Sequence, residues 1–381
     1  QSKRYRQADD YATRYYKKGG SNYVDPSLLV QVRVLHSKST IVKLVQKRQY
    51  QIMERQVARV DQALDMAAEE SKTATTNNNY INDNNTDADI REEIRTYALE
   101  HLMMSGHVEG AQRLGQLWGR STDFLDPQEL ARARQERQRL YLQWLDVLPH
   151  HEIPSLLSTP EELRQAFALV EQQTPTTADA PVVWGFDAEW DGEDSTNDSK
   201  TNHGVSLFQL ATTQGGALLI DIPALSRSTQ GQAALADTVG RLFAGGGDSK
   251  VIMVGFGCKQ DLSRLRKSAS YVPEDDLVGG ATQPHESWLK HGTGAVVDLT
   301  SLVAQRMHER AADSQTLLVK KDTAWGLSRV CHDFMGKQLD KSEQCSAWST
   351  RPLSEEQRVY AALDAYICAA VYEKIMDQAT K

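Results

Sequence analysis

The sequence predicts an all-α helical domain followed by an α/β domain built on a mixed sheet flanked by helices. Three observations carry that expectation. Helical periodicity with capping signals runs through residues 1–173. Short apolar, strand-like runs begin at Val182. Between them lies TPTTADAP (174–181), a Pro/Thr/Ala linker with no periodicity of its own.

In the first domain, Ser39 or Thr40 is placed to cap a long helix through about Glu70, with Ile41, Leu44, Val45, Ile52, Val60 and Leu64 near helical spacing. Residues 71–88 (KTATTNNNYINDNNTDAD) are Asn-rich without an apolar period, which predicts a disordered loop. Helices are expected at about 89–105 and 108–118, with Gly106 as the break between them. Asp126-Pro127 opens another helix towards Leu145, and Thr159-Pro160-Glu161-Glu162 opens one ending near Gln173.

In the second domain, VVWGFDAEW (182–190), VSLFQLAT (205–212), ALLIDI (217–222) and VIMVGF (251–256) read as strands. Thr213-Gln214-Gly215-Gly216 joins the second and third as a hairpin. Helical patterns follow at about 230–244, 260–268, 300–312, 323–336 and 355–378. A hairpin followed by strand–helix alternation implies parallel and antiparallel pairing in one sheet.

Composition narrows the function. The 381 residues include 43 Lys/Arg and 51 Asp/Glu, a net charge of −8, with 40% apolar and 25% charged residues, ordinary values for a folded chain with real cores. No run approaches the ~18 apolar residues of a membrane span. The four cysteines (Cys258, Cys331, Cys345, Cys368) form no C-x-x-C pair. That argues against a disulfide framework or a common cysteine zinc site and fits an intracellular compartment, cytoplasmic or nuclear. No secretory signal pattern is visible, and the chain opens at Gln1 rather than Met, so targeting stays open. Residues 1–60 carry 13 Lys/Arg against 4 Asp/Glu, or +9, leaving −17 for the rest. The first 23 residues interleave basic and aromatic side chains. Such a segment suits phosphate neutralisation and base stacking, or is simply a solvated basic tail.

The acidic residues carry the chemistry. Asp187 and Glu189 lie two apart in an apolar strand, so both face one side of the sheet. Two adjacent buried carboxylates repel and are costly to desolvate, and bound divalent cations remove both penalties. Asp261 opens the helix after VIMVGF. Tyr360 and Asp364, four apart, share one face of the last helix, for which Ser354 and Gln357 form a capping box. Taken singly, each has a plainer reading as an edge residue, a first-turn acid or a surface pair.

In order, F-D-A-E-W, G-F-x-x-x-x-D-L-x-x-L and Y-x-x-x-D resemble the three motifs of the DEDDy 3′–5′ exonucleases. The stretch LDKSEQCSAW (339–348), with RPLS (351–354) and YAALDAY (360–366), is similar to the ribonuclease D, Werner-exonuclease and Mut-7 branch, with the Mut-7/Nibbler group as the best match. The resemblance covers about 180–378. It departs at 191–203, where a polar loop follows the first motif. It implies a ribonuclease H-like fold and hydrolysis of phosphodiester bonds with two divalent cations, Mg²⁺ or Mn²⁺. By motif position Asp187 would bridge both ions, Glu189 and Asp364 would hold the one that activates water, and Asp261 would act through the shell of the other. Tyr360 would orient the attacking water. It also implies a single-stranded RNA or DNA with a free 3′ end as substrate, RNA being favoured. Trimming of small-RNA 3′ ends beside an Argonaute-type partner is the specific expectation. Trp190 is placed to stack a base, and Lys259, Arg264 and Arg266 are candidates to contact the backbone, although a solvated helix face is the better explanation for any one of these cations.

Two rivals remain. A nucleotide-cofactor site is suggested by Gly255-Phe256-Gly257 after a strand, but position 260 is Gln where the third glycine belongs. A catalytically silent nucleic-acid-binding module on the same fold is countered by the full set of four acids and Tyr360.

Overall fold

The computed structural model describes residues 2–19, 26–46, 49–73, 87–121, 125–174, 181–191, 204–244, 251–270, 287–289, 296–313 and 326–379. They form two compact units: Gln1–Gln138 with Lys341–Cys345, and Arg139–Asp340 with Ser346–Lys381.

The first unit is helical: α1 (Ser2–Gly19), α2 (Pro26–Gln46), α3 (Tyr50–Thr73), α4 (Asp87–Met104), α5 (Val108–Leu117) and the start of α6 (Pro127–Leu140). Ile41, Leu44, Met53, Val57, Leu64, Ile94, Leu102 and Leu114 form its core. The single helix expected from Ser39 or Thr40 to Glu70 is instead two. Pro26 opens α2, Ser39 and Thr40 lie inside it, and the Gln49 amide donates back to the Leu44 carbonyl before α3 begins. The apolar run from Leu28 onward stabilises the earlier turns, so two hydroxyl residues are carried within the helix rather than capping it. Gly106, at φ 73°, makes the expected break between α4 and α5. Most of the Asn-rich stretch, 74–86, lies outside the described residues.

The second unit holds α7 (Trp144–Val147), β1 (Leu156–Leu157), α8 (Pro160–Gln173), β2 (Val182–Glu189), β3 (Leu207–Thr212), β4 (Gly216–Ile220), α9 (Ile222–Ser226), α10 (Thr229–Leu235), α11 (Arg241–Phe243), β5 (Val251–Gly255), α12 (Lys259–Ala269), β6 (Val296–Asp298), α13 (Leu299–Asp313), α14 (Leu327–Met335) and α15 (Glu355–Ala379). A wide π turn at Ala236–Gly240 joins α10 to α11. The expected helix to Leu145 stops at Leu140, because Tyr141 pairs in a bridge with Gln338 and pulls the chain straight. The linker expected at 174–181 falls mostly on 175–180, outside the described residues. On its near side α8 packs in this unit, with Phe167 stacked on Trp184 at 5.4 Å between ring centroids.

Among the described residues the sheet order is β1-β4-β3-β2-β5-β6. Only β3 runs antiparallel to its neighbours; the β2–β5, β5–β6 and β1–β4 pairs are parallel. Without the two-residue β1 this is the ribonuclease H-like order, a central parallel strand flanked by one reversed strand. Both faces are covered, so the strands read as nearly continuous apolar runs.

Residues of odd number in β2 and β3 face α15, where Leu207, Ala211 and Leu219 join Ala361, Ala365 and Val371 in one core. Trp184, Phe186, Phe208 and Leu210 face the other way, against α8, the α9–α11 segment and α12. α15 crosses β2, β3, β4 and β5 and carries α14 on its outer side, which is why it is apolar nearly all round. It lies directly on the β2 backbone. A Cβ at Gly185 would collide with the Ala365 carbonyl and the Ala369 amide, so only glycine permits this approach.

Candidate active site

The site forms where the end of β2 meets the face of α15. Strand alternation puts Asp187 and Glu189 on that face, and the Ser354–Gln357 capping box fixes the start of the helix. The Ser354 amide donates to Gln357 Oε1 at 2.8 Å, and the Gln357 amide to Ser354 Oγ at 3.2 Å. Tyr360 and Asp364 then project one turn apart towards the strand.

The outcome is convergence. Carboxylate oxygens of Asp187, Glu189 and Asp364 lie within 4.8 Å of one another. Asp261, at the start of α12, is outside that trio. It is 7% exposed, and it lies close enough to raise the thiols of Cys258 and Cys368 together with Asp187. Burial pushes its own carboxyl up to about 6, with Asp298 adding and Arg264 opposing.

The Tyr360 hydroxyl donates to the Asp364 carboxylate, and its ring packs on Trp348 at 6.0 Å between centroids. Burial first, then the charges of Asp364, Glu189 and Asp187, hold the phenol well above its ordinary range, so it stays a protonated donor. Burial pushes the Cys258 thiol up to about 12 and holds the Cys368 thiol well above its ordinary range. Among the described residues the donors that converge here are carboxylate oxygens, the set that hard divalent cations take.

Two clamps hold the segment before α15. The Arg351 guanidinium donates to Asp221 Oδ2 and the Trp348 carbonyl, both at 2.6 Å, and to the Ser206 carbonyl at 3.0 Å. Asp191, just past β2, accepts from the Ser349 amide at 3.2 Å and from the Ser349 hydroxyl.

The remaining sequence candidates divide. Trp190 is half-buried against the core below β2, with the Arg264 guanidinium over its ring. Lys259 and Arg266 are exposed on α12. The polar loop at 191–203 lies almost wholly outside the described residues.

Sequence reasoning missed two residues. Asp298 ends β6, and its Oδ1 accepts from the Gly257 amide at 2.9 Å, the Thr300 amide at 2.9 Å and the Thr300 hydroxyl at 2.7 Å. It thus pins the turn before Asp261 and starts α13. The signal was Asp298 two residues before Thr300 at the start of a helical period. Gln209 is the second. It is fully buried and sits directly opposite Asp187 in the β2–β3 register.

A family profile described as 3′–5′ exonuclease matches residues 156–380. The chain is 32% identical over 202 residues to exonuclease mut-7 of Caenorhabditis elegans, covering 52% of this chain and 19% of that protein. It is 31% identical over 174 residues to the exonuclease mut-7 homolog of Homo sapiens, covering 45% and 17%. The crystal structure of the Aedes aegypti Nibbler EXO domain superposes with a TM-score of 0.38 at 22% identity, over 60% of this chain and 89% of that one. The chain thus spans less than a fifth of the length of these two curated relatives. Because the profile covers more than half of its residues, the chain belongs to the 3′–5′ exonuclease family.

Proposed function

We propose that the α/β unit removes nucleotides from the 3′ end of a nucleic acid, RNA in preference to DNA, using divalent cations held by Asp187, Glu189, Asp364 and Asp261. The observation that carries this reading is the convergence of the Asp187, Glu189 and Asp364 oxygens within 4.8 Å. Three carboxylates so close favour a cation over three separate charges. Two Mg²⁺ or Mn²⁺ ions, when bound, would stabilise the attacking and leaving oxygens of an in-line displacement.

The chain's own residues do the rest. Asp187, Glu189 and Asp364 would together hold one cation, and Asp261, buried at the start of α12, would help to hold the second, with Asp187 shared between them. The Tyr360 hydroxyl, kept protonated, orients the water that attacks phosphorus. The bond to the penultimate 3′ oxygen breaks, that oxygen takes a proton from solvent, and a nucleoside 5′-monophosphate leaves. Lys259 and Arg266, exposed on α12, suit backbone phosphates, and so does the basic N-terminal segment of the other unit. The finer setting is trimming of small-RNA 3′ ends beside an Argonaute-type protein, inside the cell. It rests on the resemblance to the Mut-7/Nibbler group.

The test uses end-labelled RNA and DNA, single- and double-stranded, with Mg²⁺, Mn²⁺ or chelator. Mononucleotide release from the 3′ end, lost on chelation and lowered by roughly 10³-fold or more in Asp187→Asn, is expected. Undiminished cleavage by a folded Asp187→Asn protein refutes the assignment.

A further inference from the structure

Gln209 is a polar side chain in the wrong place for a purely structural residue. It lies on β3 between Leu207 and Ala211, faces α15, and has no exposed surface. Across the β3–β4 ladder its partner is Leu219, another core residue. Among the described residues neither Oε1 nor Nε2 makes a hydrogen bond. An unpaired buried carboxamide is costly, and a leucine of similar volume would serve the core better.

Its register says where the carboxamide is useful. Gln209 is directly opposite Asp187 in the antiparallel β2–β3 pair, so both side chains leave the same face of the sheet. Directly opposite residues have Cβ atoms about 4.5–5.5 Å apart. At that spacing a glutamine side chain is long enough for its Nε2 to reach an oxygen of the aspartate opposite it.

We propose that Gln209 is the positioning residue for Asp187: its Nε2 donates to the carboxylate and holds it in the rotamer that receives the cations. The proposal rests on the metal-dependent reading above. It assigns the orphaned carboxamide a partner from the opposite strand, in the way that carboxylate ligands are commonly braced by a hydrogen bond from behind.

The test is Mn²⁺ binding, read by EPR titration of the full chain without substrate, on wild type, Gln209→Leu, Gln209→Met and Asp187→Asn. In Gln209→Leu, an unchanged or higher melting temperature with Mn²⁺ affinity weakened roughly 10–100-fold is expected, together with turnover that recovers as Mn²⁺ is raised. Gln209→Met keeps the side-chain length without the donor and decides the matter if the leucine variant fails to fold. Mn²⁺ affinity equal to wild type in either folded variant overturns the role of Gln209. Unweakened Mn²⁺ binding by Asp187→Asn instead overturns the metal site, so the two failures are told apart.

Discussion

The Arg264 guanidinium carbon lies 4.5 Å from the centroid of the Trp190 ring. Trp190 follows the last carboxylate of β2, and Arg264 lies one turn beyond Asp261 on α12. The contact therefore ties together the two segments that deliver Asp187, Glu189 and Asp261. Both residues are sequence candidates for substrate binding, and here they engage each other. A cation over an indole contributes about 0.5–2 kcal/mol according to its exposure. In a double-mutant cycle of Arg264→Ala and Trp190→Leu, a coupling of about that size is expected from urea unfolding of the metal-free protein. Strict additivity would mean that the stacking contributes nothing in solution.

Tyr360→Phe keeps the ring against Trp348 and removes only the hydroxyl. A hydrogen bond to a charged group is worth about 1.5–3 kcal/mol, so kcat should fall roughly 10–100-fold while the protein stays folded. Because the phenol is held above its ordinary value, wild-type activity should show no Tyr360-dependent loss up to pH 10. Steady-state rates from pH 6 to 10 for both proteins check this.

Asp298→Ala removes the acceptor for Gly257 and Thr300, and Asp298→Asn retains it, since all three bonds go to Oδ1. The alanine variant should lose about 1–2 kcal/mol of stability, the usual cost of a lost helix cap, and should lose turnover as the turn before Asp261 loosens. The asparagine variant should recover most of the stability. Urea unfolding alongside single-turnover rates distinguishes the two, and equal behaviour would remove Asp298 from this role.

Asp261 makes the metal-free protein sensitive to pH. Its carboxyl is raised from an ordinary value of 3.8 to about 6, chiefly by burial. The folded state therefore binds more protons than the unfolded chain between those values. Stability is greatest below about pH 3.8 as far as this group is concerned, and it declines as pH rises towards 6. Melting curves in chelator across that window should show the decline, and Asp261→Asn should flatten it.

The parts of the fold set by short-range rules were legible in the sequence. Alternation placed Asp187 and Glu189 on one face, the i, i+4 spacing aligned Tyr360 with Asp364, and the capping boxes at Thr159 and Ser354 marked the starts of α8 and α15. Elements that exist through pairing were not legible. β1 has two residues and β6 three, too few to show a period, and each is a strand only because β4 or β5 lies beside it. The same holds for Gln209 and Asp298, whose roles come from a neighbouring strand and a distant turn. Ser39 and Thr40 misled for a local reason: hydroxyl residues mark helix starts, yet the apolar run before them keeps α2 helical through both.

The glycine at 185 gives the molecule an Achilles heel that carries no charge and touches no ligand. Even an alanine there would prise α15 off the sheet, separating the Asp187–Glu189 pair from Tyr360 and Asp364 in one stroke. A methyl group, ordinarily among the mildest of sequence changes, would act on this protein like the loss of several functional side chains together.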